Sequence, residues 1–178
     1  SSDLGGMESL YKDGKEWLYR SPRPAFWRAT TDNDRGNGFV FRSAVWSAAD
    51  RFVRCVKVTA RMDEQEISMP PAPENNKYNG DETCDRFEIS YTYETPTVPV
   101  TEVTVSYLVE SDGRIHVQVD YLGKRGLPEL PVLGLRFLMP TAAEGYTYEG
   151  LSGETYPDRM AGGIHGVYEV QGLPVTPY

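Results

Sequence analysis

The stretch RFEISYTY, residues 86–93, indicates most directly how this chain folds. Phe87, Ile89, Tyr91 and Tyr93 occupy every second position, and charged or polar residues stand between them. Successive side chains of a β-strand point to opposite faces, so this spacing predicts a strand with one buried face. The aromatic and β-branched residues on that face favour a strand as well.

Three further runs repeat the period of two. Two of them place apolar residues on a predicted inward face: Val103, Val105, Tyr107 and Val109 in one, and Ile115, Val117, Val119 and Tyr121 in the other. A longer, less regular run contains Phe52, Val56, Val58, Ala60 and Met62, interrupted by Arg54. Each run predicts a half-buried strand.

The turn-forming residues between these runs are typical of hairpins. Asp13-Gly14 and Ser111-Asp112-Gly113 are predicted to be turns. A proline- and asparagine-rich connection over residues 70–80 is predicted not to be a strand, and only residues 42–52 (RSAVWSAADRF) could begin as a short helix. At least eight short strands predict one all-β domain over residues 1–178, with a two-sheet antiparallel sandwich as the economical arrangement.

Composition restricts the class of protein. With 178 residues, 39% apolar and 25% charged, the chain is predicted to be soluble and globular. Its net charge of −8 argues against a nucleic-acid partner or an anionic membrane. No apolar run is long enough for a membrane helix and no leader is apparent, so a cytoplasmic location is expected. Cys55 and Cys84 are predicted to be small buried or half-buried side chains and not part of a disulfide framework.

The stretch FWRATTDNDRGNGF, residues 26–39, contains the first candidate for chemistry. Asp32 and Asp34 would share a face in an extended segment, as a pair of catalytic carboxylates requires. Asp and Asn before a glycine also form turns by bonding their own backbone, and we favour that interpretation. A calcium loop is disfavoured because Arg35 stands among the would-be ligands.

Other candidates are sparse. His116 falls on the polar face of a strand, where a solvated or cross-strand role is expected, and His165 has no partner implied by the sequence. Zinc spacings, phosphate loops and a nucleophile elbow are absent from the sequence. Five aromatic residues could stack on sugars but are more often core residues: Trp27, Trp46, Tyr146, Tyr148 and Tyr156. The residues alone therefore predict a β-sandwich without a self-sufficient active site.

Three long stretches, at residues 22–39, 127–140 and 148–170, add a resemblance. In order and spacing they resemble the C-terminal fifth domain of family-2 β-galactosidases, a large mutarotase-like supersandwich. The resemblance is greatest to the small chain of two-chain bacterial enzymes. That domain continues past the closing GLPVTPY (residues 172–178), so the chain is expected to be its N-terminal portion.

The resemblance implies a division of labour between two chains. The catalytic glutamates and the Mg²⁺ and Na⁺ ligands are expected on a large chain, and no catalytic or metal residue is expected here. The segment Gly36, Asn37, Gly38 and Phe39 would begin a mobile loop bordering the active site, with Asp32, Asn33 and Asp34 as its base. Both glycines are expected to supply hinge conformations. The motif GETYPDR at residues 153–159 is expected to support an interface.

The resemblance also implies the activity. The complex would hydrolyse terminal β-D-galactosides such as lactose with retention, and this chain would complete its active site and could gate it. Two alternatives remain open. A free-standing carbohydrate-binding module would bind sugar through exposed Trp or Tyr. An epimerase would need a carboxylate beside His116 or His165.

Overall fold

The computed structural model describes residues 5–68, 83–152 and 163–172 of the protein. The connection predicted at 70–80, the GETYPDR motif at 153–159 with Tyr156, and most of the closing GLPVTPY lie outside the described residues. The chain divides into two compact units, Ser1–Leu138 and Met139–Tyr178.

The described residues form eleven strands, and every strand pairing among them is antiparallel. The strands are β1 Tyr11–Lys12, β2 Lys15–Glu16, β3 Arg20–Ala25, β4 Arg54–Met62, β5 Gln65–Ile67, β6 Arg86–Glu94, β7 Glu102–Glu110, β8 Ile115–Tyr121, β9 Gly134–Leu138, β10 Gly145–Ser152 and β11 Ile164–Gln171. Between β3 and β4 lie α1 Asp32–Gly36, α2 Phe39–Arg42 and two 3₁₀ turns, Ala44–Trp46 and Ala49–Arg51. The all-β prediction is confirmed.

A five-stranded sheet in the order β5-β4-β6-β7-β8 forms the main layer of the first unit. Its inner face carries the predicted alternating residues, and Tyr91 and Tyr93 of β6 lie opposite Val105 and Val103 of β7. All four are buried, as is Tyr107. The period of two therefore identified the core face correctly on the two central strands.

The opposite side of this core comes from the chain before and after the sheet. Phe26, which follows β3, and Trp46, in the first 3₁₀ turn, are fully buried, with ring centroids 5.5 Å apart. The Trp46 indole nitrogen donates to the Pro128 carbonyl at 3.2 Å, and Leu135 of β9 packs against the same cluster. The sandwich-like arrangement thus has a β3–β9 ribbon and short helical turns as its second layer within the described part of the chain.

The irregular run through β4 was predicted correctly at Val58, Ala60 and Met62, which are buried or half-buried, and wrongly at Phe52 and Val56. The register shifts between Cys55 and Lys57, so Val56 is an extra residue in a β-bulge. Phe52 and Val56 are 70% and 38% exposed, whereas Val53 is buried and Cys55 is half-buried. Because the bulge reverses the alternation, the inward set changes from odd to even positions at this point.

The turns were predicted in part. The Asp13-Gly14 turn is present, both residues having positive φ, and Gly113 has a φ of 85° in the β7–β8 turn. Asp63 and Glu64, with φ values of 46° and 71°, form a further tight turn between β4 and β5 that the sequence did not suggest. Left-handed backbone without glycine is uncommon, which is why it was missed.

Residues 42–52, the two cysteines and the lengths of the helices can also be compared with the predictions. The helix considered at residues 42–52 is realised as two 3₁₀ turns. Cys55 and Cys84 are half-buried free thiols, as predicted. Within the described ranges, no helix has the length and apolar character needed to cross a membrane.

Candidate functional site

The Asp-Asn-Asp segment, which the sequence predicted as a turn, is a capped helical turn. Thr31 precedes α1 in an extended conformation, and its hydroxyl accepts a hydrogen bond from the Asp34 amide at 3.2 Å. The Asp34 carboxylate in return accepts from the Thr31 amide at 2.8 Å. This reciprocal arrangement is a capping box, which satisfies two amides that a helix otherwise leaves unpaired.

Asp34 is bound on its other side by an arginine that sequence reasoning did not single out. The Arg28 guanidinium donates to both oxygens of Asp34, at 2.6 and 3.1 Å. Asp34 is buried, with 8% of its surface exposed. The hydrogen bonds from Arg28, and then from the Thr31 amide, hold the pKa of Asp34 well below its usual range. Asp34 is therefore a fixed carboxylate with a structural task.

Asp32 and Asp34 do not form a pair. In a helical turn, residues two apart are separated by about 200° around the axis, so they point to different sides. Asp32 has 86% of its side chain exposed and accepts a hydrogen bond from Arg35 at 2.8 Å. The shared face expected for an extended segment is absent because the segment is helical.

A second turn follows directly and is anchored by Phe39. Gly38 has a φ of +73° and precedes α2, so this glycine is at a position where other residues are strained. Gly36 has no such conformation, and a Cβ added there would meet no atom within 4 Å. Phe39 is buried beneath Arg28, whose guanidinium lies 5.7 Å from the ring centroid.

The same segment presents another set of residues to solvent. Asn33, Arg35, Gly36 and Asn37 are exposed, and Phe41 is 85% exposed. Phe41 was not singled out, and only its position two residues after the buried Phe39 could have suggested it. We define the capped segment as residues 28–42, with Asp34 and Phe39 as its inward anchors.

The other sequence candidates lie elsewhere. His116 contacts Glu110 of the neighbouring strand at 3.1 Å with 59% of its side chain exposed, as predicted for a cross-strand role. His165 lies exposed in β11 of the second unit. Trp46 is a core residue and Trp27 packs against the core, so neither forms an open platform for a sugar.

Tyr146 and Tyr148 of β10 form an aromatic row with Tyr168 of β11 within the second unit. The Tyr148 and Tyr168 rings are stacked with centroids 5.4 Å apart, and Tyr146 lies 6.1 Å from Tyr148. Tyr146 is 47% exposed. Tyr146 and Tyr148 were candidates from the sequence and remain at least partly open to solvent, whereas Tyr168 was not singled out.

Comparison of the sequence with known proteins places the chain in a family. A family model described as "Beta galactosidase small chain" matches residues 1–178. The chain is 61% identical over 178 residues to a β-galactosidase small subunit of Latilactobacillus sakei, covering all of this chain and 56% of that protein. It is 37% identical over 170 residues to a β-galactosidase of Clostridium acetobutylicum, covering 95% of this chain and 17% of that protein. The chain thus spans about half the length of the small subunit and a smaller part of the longer relative.

Proposed function

The chain belongs to the β-galactosidase small-chain family, and we propose that it is a non-catalytic part of a two-chain β-galactosidase. A large chain would carry the catalytic glutamates together with Mg²⁺ and Na⁺, and this chain would complete the active site. The complex would hydrolyse terminal β-D-galactosides such as lactose with retention. The observation that carries the proposal is the match over all 178 residues to a small-chain family, because a small subunit implies a large partner.

The carboxylates of the capped segment support a non-catalytic role. A retaining glycosidase needs a nucleophile and a general acid whose pKa is raised, about 5 Å apart. The lowered pKa of Asp34 does not suit a general acid, and Arg28 donates to both of its oxygens, which leaves neither free to act as a nucleophile. Asp32 points elsewhere and contacts Arg35 in solvent. These properties support the proposal that the catalytic carboxylates belong to the large chain.

The capped segment is proposed to border and gate the galactoside site. Its inward anchors, Asp34 and Phe39, are both buried and give it a fixed base. Its outward residues include Asn37, whose side-chain oxygen accepts from the Phe39 amide at 2.9 Å while its nitrogen can donate to sugar hydroxyls, and Phe41, whose ring could pack on a sugar face. Gly38 is the residue whose backbone conformation could change most easily between the two turns.

Complementation tests the main proposal. The full chain is mixed with a candidate large chain, and a chromogenic β-galactoside reports hydrolysis. We expect activity from the mixture, little from either chain alone, and a complex on size-exclusion chromatography. Hydrolysis by this chain alone would refute its non-catalytic role, and failure to bind or activate any large chain would refute the partnership.

A matched pair of exposed phenylalanines tests the gating step separately. Phe41→Ala removes the exposed ring of the capped segment, and Phe52→Ala removes a ring that is 70% exposed but lies outside it. In the active mixture, we expect Phe41→Ala to raise the KM for the galactoside severalfold and Phe52→Ala to leave it unchanged. Equal kinetics for both variants would remove the capped segment from the active site without affecting the partnership.

The tyrosine row favours a second candidate, a carbohydrate-binding module. Tyr146, Tyr148 and Tyr168 offer adjacent rings on one face of the β10–β11 hairpin, and aromatic faces suit sugar stacking. This candidate expects lactose to shift the NMR signals of the isolated chain, with loss of the effect in Tyr146→Ala. An absence of shifts at saturating lactose would reject it.

A further inference from the structure

A cavity of about 530 Å³ in the first unit is lined by an unusual number of arginines. Arg20 and Arg23 come from β3, Arg136 from β9, and Arg51 from the second 3₁₀ turn. Asp50 is the one carboxylate among the residues that line it. The arrangement brings three distant parts of the sequence to one place.

The charges in this arginine cavity are not balanced. Asp50 contacts Arg136 at 2.6 Å, and only 12% of its side chain is exposed, so this carboxylate is already engaged. No ion pair joins Arg20, Arg23 or Arg51 to a carboxylate in the described part of the chain. Four guanidinium groups against one carboxylate leave a formal excess of three positive charges. This excess occurs in a chain whose acidic residues outnumber its basic ones, 26 to 18.

Strand register adds to the imbalance. Arg23 lies directly opposite Arg136 in the β3–β9 pair. Like charges that face each other across an antiparallel pair are destabilising, and Asp50 can neutralise only one of them. An irregularity in the register between Arg20 and Arg23 changes the local backbone on the same strand. An anion between the strands would remove the repulsion.

We propose that the arginine cavity binds a dianionic phosphate group, either the free ion or a phosphate monoester. Arginine forks match the oxygens of phosphate and carboxylate alike. A carboxylate, however, offers two oxygens and one negative charge, whereas this cavity holds three guanidinium groups that form no ion pair with a described residue. A tetrahedral dianion satisfies that set more completely. Arg20 and Arg51 are exposed and Arg23 is half-buried, so a ligand can enter from solvent.

The phosphate-binding proposal does not depend on the proposed galactosidase role, so it is tested on this chain without a large chain. Isothermal titration calorimetry is run on the full chain with inorganic phosphate, with glycerol phosphate, and with sodium chloride at equal ionic strength. We expect saturable binding of both phosphates and none of chloride. Similar affinities would identify the free ion as sufficient, and tenfold tighter binding of the ester would identify an organic phosphate. No saturable binding of either phosphate would overturn the proposal.

Two variants of opposite expected effect test the location. Arg51→Gln removes one charge-assisted donor and should weaken phosphate binding about tenfold or more. Asp50→Asn removes the competing carboxylate and frees Arg136, so it should tighten binding. Arg125→Gln, at an exposed arginine outside the cavity, is the matched control and should bind as the wild type does.

Thermal melts link binding to folding. Phosphate should raise the Tm of the wild type and of Arg125→Gln, and should raise that of Arg51→Gln less. In phosphate-free buffer, Arg51→Gln should melt at or slightly above the temperature of the wild type, because it removes one of the mutually repelling charges. Equal phosphate responses in Arg51→Gln and the wild type would place any binding elsewhere and refute the assignment.

Discussion

The inner face of the five-stranded sheet and the capped segment are stabilised by different kinds of contact. On the sheet, Tyr91, Tyr93 and Val105 are buried among many apolar neighbours. In the capped segment, the carboxylate of Asp34 joins Thr31 and Arg28 through a few directed hydrogen bonds. Stability of the first region should therefore depend on side-chain volume, and stability of the second on individual polar atoms and on pH.

The largest effect should follow loss of volume in the core. Trp46→Ala deletes a fully buried indole and its hydrogen bond to Pro128, which should lower the free energy of unfolding by about 3–5 kcal/mol. Phe41→Ala, at an aromatic residue that is 85% exposed, should change it by less than about 0.5 kcal/mol. Urea denaturation followed by tryptophan or tyrosine fluorescence measures both. Equal losses would mean that the capped segment is as tightly packed as the core.

Two buried tyrosines provide a finer test, because their hydroxyls differ in what they contact. The Tyr93 hydroxyl donates to the Gly5 carbonyl, whereas the Tyr107 hydroxyl is buried with no partner among the described residues. Tyr93→Phe should lower the free energy of unfolding by about 1 kcal/mol, and Tyr107→Phe should leave it unchanged or raise it by up to about 1 kcal/mol. Burial raises the pKa of Tyr107 to about 12, so both hydroxyls stay neutral in ordinary buffers. A larger loss for Tyr107→Phe would indicate a partner for its hydroxyl.

The two regions also differ in how far the sequence predicted them. Alternation identified the buried residues of β6 and β7 because a strand in a half-buried sheet must repeat every two residues. It failed at Val56, since a single bulge residue reverses the phase without any distinctive residue type. Local sequence patterns do not reveal which residues of distant strands are paired. The pairing of Arg23 with Arg136 therefore could not be predicted.

The helical form of the capped segment was missed for a different reason. Its helical turns are shorter than one apolar repeat, so periodicity carries no information about them. The spacing of Thr31 and Asp34 is that of a capping box, with Asp in place of the usual Glu or Gln. That spacing could have predicted the helix start. The partnership with Arg28 could not be predicted, because it requires the chain to fold back over Phe39.

The smallest expected effect is a dependence on pH that distinguishes the capped segment from the core. At pH 7, Asp34→Asn should lower the Tm by roughly 2–4 °C, and Asp32→Asn, at an exposed carboxylate, should have little effect. The folded pKa of Asp34 lies below its unfolded value near 4, so its contribution is present above pH 4 and is lost as the pH falls further.

The difference between the wild type and Asp34→Asn should therefore be constant from pH 7 to 5 and narrow below about pH 4. The Ser9 hydroxyl and the Leu18 and Leu10 amides lower the pKa of Glu16 to about 2, and this carboxylate also loses its contribution in acid. Because Glu16 is present in both proteins, its titration cancels in the difference. The substituted tyrosines of the core should give pH-independent differences over the same range. A gap for Asp34→Asn that persists unchanged at pH 3 would mean that the shape of the side chain, and not its charge, stabilises the capped segment.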